Sequence, residues 1–343
     1  LASNLQKILI YSPNWIGDAV MATPMVRETR RIFPESHLTV FARDWVSPVY
    51  RYVDGIDKIM TFSRAQRKDY SARQKLIERI QDQNFDVVLL LPDSFSTAWL
   101  MYRSGISRRI GYTGQFRSWM LTDQIPLKSG RSLHRSDKYI NMLQSFEPDL
   151  NFGQSPQLEL TNSEDFSVPK GWQVDKFHIG INPFSVATSR RWPQRYWQTL
   201  IDSLADDFVQ FVMFGGPNDT EAAAQIVDGL KTQILVLTGK TSLEESIQLI
   251  SKCDLFISND SGPMHIADAA GVPTLGFWGA GDTSETGLRS RISKNLNADV
   301  YCSPCRKNQC INKKEPLICL HSLPPEMVLA EVQYFLDHQE FRG

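Results

Sequence analysis

No apolar run in the 343-residue sequence approaches the ~20 residues that a membrane-spanning helix needs. A basic-apolar-small leader is also missing, so cytoplasmic residence is the default expectation. Net charge is nearly absent, with 37 Lys and Arg against 38 Asp and Glu, yet the balance hides two unlike halves. Residues 1–150 hold 21 basic against 15 acidic side chains, and the remainder holds 16 against 23. A basic first half suits an anionic partner or a solvated surface, and no nucleic-acid motif accompanies it. Cysteine is scarce, and four of the five crowd into Cys302, Cys305, Cys310 and Cys319. One C-x2-C without a matching second pair puts reduced thiols in a compact loop ahead of a structural metal cluster, and a reducing compartment disfavours disulfides.

Two phosphate-site signatures are missing as well. A P-loop needs glycine five residues before its Gly-Lys pair, and before Gly239-Lys240 that position is Ile234. Ser242 with Glu245 fits a helix capping box better. The metal-holding Asp-x-Asp pair does not occur; Asp219-Thr220-Glu221 comes nearest. Bound phosphate would then have to be met by helix termini and arginines.

What is present is ordinary globular composition, 42% hydrophobic and 22% charged, in a chain long enough for two domains. Buried-strand runs at 7–12, 37–42, 58–62 and 86–91 alternate with helical patterns through 20–32, 70–83, 94–104 and 135–146. After a proline-punctuated stretch from Glu147 to Trp172, strand runs restart at 178–182, 209–214, 234–237, 255–257 and 274–278. Helices are expected near 193–205, 219–230, 243–252, 263–270 and 325–338. Strand followed by helix throughout predicts two consecutive α/β domains with parallel sheets, 1–160 and 170–322, and a terminal segment 323–343. Ligands of such sheets gather at the carboxyl ends of the strands.

Four loops at those ends carry chemistry. Pro13-Asn14-Trp15-Ile16-Gly17-Asp18 places Asp18 at a helix start, as a general base or as a carboxylate favouring the helix dipole. Asn182 to Pro193 contains Thr188, Ser189, Arg190 and Arg191, hydroxyls and guanidinium groups suited to a diphosphate or to an ordinary capped loop. Gly215 to Glu221 offers Asp219 and Glu221 to a ribose diol, or Asp219 to a helix cap. Asn259-Asp260-Ser261-Gly262-Pro263-Met264-His265 joins a buried strand to a helix N-terminus, where unpaired N–H groups and the macrodipole favour an anion.

Pro13-Asn14-Trp15-Ile16-Gly17-Asp18-Ala19-Val20-Met21, Arg109-Ile110-Gly111-Tyr112, Arg191-Trp192-Pro193, Gly239 to Glu244 and Asn259 to His265 run in order along nearly the whole chain. Together they resemble glycosyltransferase family 9, the ADP-heptose:lipopolysaccharide heptosyltransferases. The resemblance implies a GT-B fold: two Rossmann-like doubly wound domains facing across a cleft, with the last helix packing back toward the first. It implies an inverting, metal-independent transfer of heptose from ADP-heptose to the inner core of lipopolysaccharide, most like the addition of the second heptose. Asp18 would be the base, with no cofactor. Thr188, Ser189, Arg190, Asp219, Glu221, Asp260, Ser261, Gly262, Met264 and His265 would bind the donor. Asn14, Arg64, Arg117 and Arg131 are candidates for the anionic lipid A core acceptor, with transient contact at the inner membrane surface. Where the family usually has Lys two residues before Trp-Pro, this chain has Arg190. Another surface-glycan transferase and a non-catalytic nucleotide-sugar-binding protein are the competing readings.

Overall fold

A computed structural model describes residues 5–130, 132–160 and 166–337. The chain divides into two compact units, 1–159 and 160–343. Each is built on one six-stranded sheet in which every pairing is parallel.

In the first unit the strands are β1 (Lys7–Tyr11), β2 (His37–Arg43), β3 (Lys58–Phe62), β4 (Val87–Leu90), β5 (Arg108–Tyr112) and β6 (Asp123–Ile125), lying in the order β3-β2-β1-β4-β5-β6. The runs KILIY and VVLL fill the two central strands because a parallel sheet covered by helices on both faces buries its middle strands completely. Leu9 sits opposite Thr39 on one side and Val88 on the other, which fixes the register. Leu9, Tyr11, Phe41, Val88 and Leu90 build the core with Leu76, Ile77 and Ile80 of the helix Tyr70–Gln81. Asp69 caps that helix by accepting from the Ala72 N–H at 2.7 Å.

The second unit repeats the plan with β7 (Phe177–Asn182), β8 (Val209–Met213), β9 (Leu235–Val236), β10 (Leu255–Asn259), β11 (Thr274–Trp278) and β12 (Lys294–Asn297), in the order β12-β11-β10-β7-β8-β9. Counted from its own first strand this is the same 3-2-1-4-5-6 winding as the first unit. Trp192, Trp197, Phe211 and Phe277 form its aromatic centre, and Val328 and Val332 of the helix Pro325–Asp337 are buried in the same core.

Three strands escape the sequence reading. β5, β6 and β12 read RRIGY, DQI and KNLN, too polar for an apolar run. The helix expected through 20–32 is two pieces, Ile16–Met21 and Thr23–Ile32, because Pro24 cannot donate a backbone bond and starts a new helix instead.

Candidate functional site

The order of each sheet reverses between two neighbouring strands, and the loops leaving their carboxyl ends diverge to open a crevice. In the second unit these strands are β7 and β10, so the loops 183–191 and 260–262 emerge side by side. They are knitted together. Asn259 Oδ1 accepts from the Trp192 N–H at 3.0 Å, and Asn259 Nδ2 donates to the Pro183 carbonyl at 2.7 Å. Ser185 Oγ donates to the Asp260 carbonyl at 3.1 Å, and Asn182 Nδ2 donates to Ser261 Oγ at 3.2 Å. Arg190 Nη1 lies 3.0 Å from Asp260 Oδ2, a carboxylate side chain only 4% exposed. The buried Nε of Arg190 bonds no described group.

Ser261 occupies the cap position of the helix Gly262–Ala269, but its side chain makes no capping bond. Its hydroxyl instead lies 3.2 Å from Ser258 Oγ. The first-turn N–H groups of this helix therefore lack the side-chain acceptor that such a position usually supplies, which is the arrangement an anion completes. Gly281 allows the close packing here: a Cβ on it would come within 2.2 Å of Asp260 Oδ2 and 2.9 Å of the Trp278 ring.

In the first unit the reversal falls between β1 and β4. Asp18 follows β1 as the third residue of the helix Ile16–Met21, and its Oδ1 is 3.9 Å from Arg135 Nε. Two buried phenols lie in its field. Burial, with the Asp18 charge adding to it, holds the Tyr139 hydroxyl well above the ordinary tyrosine range. Burial also raises the Tyr50 hydroxyl, against the bond it shares with Ser12 Oγ at 2.8 Å. Both phenols stay neutral near neutral pH. Beyond the ends of β2 and β3, Arg43, Arg64 and Arg67 interact as like charges, and burial followed by the Arg67 charge lowers Arg43 from the ordinary guanidinium range.

The sequence pattern described as glycosyltransferase family 9 (heptosyltransferase) matches residues 73–315. The chain belongs to glycosyltransferase family 9. Lipopolysaccharide heptosyltransferase 2 of Escherichia coli (strain K12) is 25% identical to this glycosyltransferase over 356 residues, spanning 97% of this chain and 99% of that one. The solved structure of E. coli ADP-heptose lps heptosyltransferase II matches with a TM-score of 0.81 at 25% identity, over 98% of this chain and 100% of that one. The glycosyl transferase family 9 structure from Veillonella parvula DSM 2008 matches with a TM-score of 0.83 at 22% identity, over 98% of both chains. The fold is thus GT-B in type, built from two Rossmann-like sheets.

Within the glycosyltransferase some expected contacts hold the scaffold. Ser189 is buried and its hydroxyl donates to the Lys307 carbonyl, while Thr188 Oγ1 donates to the Asn308 carbonyl at 3.3 Å. Those two hydroxyls tie the turn to the cysteine-bearing loop, Ser189 from the interior and Thr188 from the surface. Met264 is wholly buried against Trp278 and Leu288, so it can serve a donor only through its backbone. His265 is buried in the same helix. Asp219 accepts from the Gly216 N–H at 2.9 Å, the capping role, whereas Glu221 is exposed in the first turn of the helix Thr220–Asp228. Ser242 and Glu245 do form a capping box.

On the acceptor side Asn14 accepts from Arg43 Nε at 2.6 Å, and Arg64 is exposed. Arg117, expected to contact the acceptor, is corrected by its burial: its guanidinium donates to the Tyr112 and Pro92 carbonyls and pairs with Asp93 at 3.3 Å. Arg131 lies outside the described residues. Arg43, Arg67 and Arg135 were missed, because only the strand order brings them to the site edge. The thiols of Cys302, Cys305, Cys310 and Cys319 are free and line one small pocket with Ser189. Among the described residues, no three His, Cys, Asp or Glu side chains are arranged to hold a metal ion.

Proposed function

We propose that this glycosyltransferase moves heptose from ADP-heptose to the inner core of lipopolysaccharide, adding the second heptose by inverting, metal-independent displacement. The observation that carries the reading is the Asp18 carboxylate at the reversal point of the first sheet. It stands in a chain matched over 97% of its length by a lipopolysaccharide heptosyltransferase 2.

Asp18 takes the proton from the acceptor hydroxyl as that oxygen attacks the anomeric carbon of the donor from the face opposite the diphosphate. The new carbon–oxygen bond forms while the bond to the β-phosphate oxygen breaks, and ADP leaves with the electron pair. The proton then passes from Asp18 to water. Arg135, with its Nε 3.9 Å from Asp18 Oδ1, helps orient the carboxylate between turnovers. The negative charge growing on ADP is met by the uncapped first turn at Gly262 and by the Arg190 guanidinium that pairs with Asp260. Asp260 holds Arg190 and orients the heptose, and Glu221 faces the ribose. The positive charge of an arginine and a helix terminus takes the place that an Asp-x-Asp-bound cation fills in other nucleotide-sugar enzymes. Arg43, Arg64 and Arg67 suit the phosphates and acidic sugars of a lipid A core, a lipid-anchored acceptor that brings the cytoplasmic enzyme to the inner membrane surface.

Calorimetry with ADP, UDP and GDP, each with and without magnesium, tests the donor assignment. Tight ADP binding that ignores magnesium supports it, and preference for UDP or GDP moves the enzyme to another surface-glycan transfer. Incorporation of heptose into a core acceptor already bearing one heptose, and not into the heptose-free core, tests the step.

A further inference from the structure

The helix Phe95–Arg103 in the first unit has two faces of opposite character. Thr97, Ala98, Leu100 and Met101 are buried against the sheet. Phe95, Trp99, Tyr102 and Arg103 recur at i, i+4, i+7 and i+8, with Phe95, Tyr102 and Arg103 exposed and Trp99 partly buried against the core at the margin of the other face. Neighbouring elements extend this stripe. Trp119, 62% exposed, meets Tyr102 edge-on with ring centroids 5.4 Å apart. Arg73 and Arg103 lie over Trp99 at 5.2 and 5.4 Å, Arg109 lies 5.5 Å from Tyr102, and Tyr70 is 5.7 Å from Arg73. The result is a strip of rings interleaved with guanidinium groups. Arg73, Arg103 and Arg109 form no ion pair among the described residues.

The loop beside the strip shows the same bias by independent means. Gly114, Gln115 and Phe116 all have positive φ, at 135°, 47° and 55°. Glycine accepts that conformation and an aromatic residue resists it. The loop is held by Arg117, whose buried guanidinium grips the carbonyls of Tyr112 and Pro92. A buried cation and an unfavourable backbone thus keep the Phe116 ring in solvent, 93% exposed. Packing within the unit gives no reason for that placement.

We infer that this strip docks the protein on an anionic lipid surface. Phe116, Trp119 and Tyr102 sit at headgroup level, where rings with one apolar and one wet side are favoured, and Arg73 and Arg103 meet lipid phosphates, while Arg109 braces the strip through the Met120 carbonyl. Charge complementarity selects an anionic lipid surface: Arg73 and Arg103 stack on the rings of the strip and no described carboxylate pairs with them. The surplus of six basic side chains in residues 1–150 acts in the same sense. The inference deepens the membrane contact proposed above and rests on that reading only for the expectation that a membrane is met; it holds whichever sugar is transferred.

The test is co-sedimentation of the full chain with vesicles of phosphatidylcholine alone or of equal parts phosphatidylcholine and phosphatidylglycerol, at low and high salt. The expected result is at least ~10-fold tighter binding to the anionic vesicles, weakening as salt rises. Phe116→Ser with Trp119→Ser should lower binding to them about 10-fold through lost ring insertion. Arg73→Gln with Arg103→Gln should reduce binding to the level on neutral vesicles. Melting midpoint and ADP affinity are measured on the same preparations. Both should be unchanged, so that a failure of ADP binding counts against the donor assignment and leaves the lipid surface to be judged separately. Equal binding to both vesicle types, or variants that bind like the parent, overturns the inference. So does concentration-dependent self-association that disappears in the Phe116 and Trp119 variant, which assigns the strip to a second copy of the chain.

Discussion

The two units share one winding order and use it differently. At the reversal point of the second sheet the loops are locked by side-chain bonds, with Asn259 joined to Trp192 and Pro183 and Asp260 joined to Arg190 and Ser185. At that of the first sheet, Asp18 Oδ1 lies 3.9 Å from Arg135 Nε, Asn14 accepts from Arg43, and Arg64 is exposed. All three exposed tryptophans of the described chain, Trp15, Trp45 and Trp119, belong to the first unit. The difference teaches that a shared fold leaves the loops free to specialise. One unit has a preorganised pocket edge suited to a small, highly charged ligand, and the other an open basic edge suited to something large and variable.

The sharpest way to test this contrast is Asp18→Asn. If the first unit supplies the chemistry and the second the donor pocket, turnover should fall on the order of 10²–10⁴-fold while ADP affinity stays the same. Single-turnover kinetics with calorimetry checks both halves of that statement. Unchanged turnover removes Asp18 as the base.

Asn259→Ala breaks the second unit from within. Both buried partners of the amide, the Trp192 N–H and the Pro183 carbonyl, lose their bonds. Stability should drop by about 2–4 kcal/mol, read from urea unfolding, since each unsatisfied buried group costs roughly 1–3 kcal/mol. Arg190→Met keeps the length of the side chain and removes its charge. ADP affinity should fall roughly 10- to 100-fold, matching the loss of one charged hydrogen-bonding group, while heptose transfer is impaired in proportion. An ADP affinity like that of the parent would assign Arg190 to bracing Asp260 alone.

The smallest expected effect concerns pH. His178 is buried on β7 and stacked on Trp172 with ring centroids 4.1 Å apart. Burial lowers its imidazole below the ordinary value of 6.5 and outweighs the opposing Asp254 charge. The folded second unit therefore binds fewer protons at this site than the unfolded chain does. Its contribution to stability is fully present above pH 6.5 and is lost as pH falls from there toward the lowered folded value. The slope in that window is at most about 1.4 kcal/mol per pH unit. His178→Phe should flatten this part of the melting-temperature profile, and a profile that keeps its slope shows that another group sets it.

Much of this was legible along the chain. KILIY, HLTVFAR and LFISN are apolar or β-branched stretches bounded by turns, so these strands could be placed within a residue or two. The loops at 13–18, 183–191 and 258–265 announced themselves by residue type. The strand RRIGY did not, because its two arginines are amphipathic: Arg109 is partly buried and donates to the Met120 carbonyl at 2.6 Å. Arg117 was misread for the same reason. A guanidinium near a strand end suggests an anion site in sequence, and only the fold shows it closing on backbone carbonyls.

Local patterning by itself determined that this protein is two α/β units, with loops of hydroxyl, arginine and glycine residues at strand ends of the second and an acid at the first helix start. Burial periodicity, proline and capping residues act over a few neighbours, so they can be read one segment at a time. Tertiary structure alone decided which carboxyl ends became neighbours. Strand adjacency is set by contacts between segments far apart in sequence, as when β10 settles beside β7. The same long-range contacts gathered Arg43 and Arg67, set Arg135 beside Asp18, sealed Ser189 against Lys307 and left Phe116 in solvent.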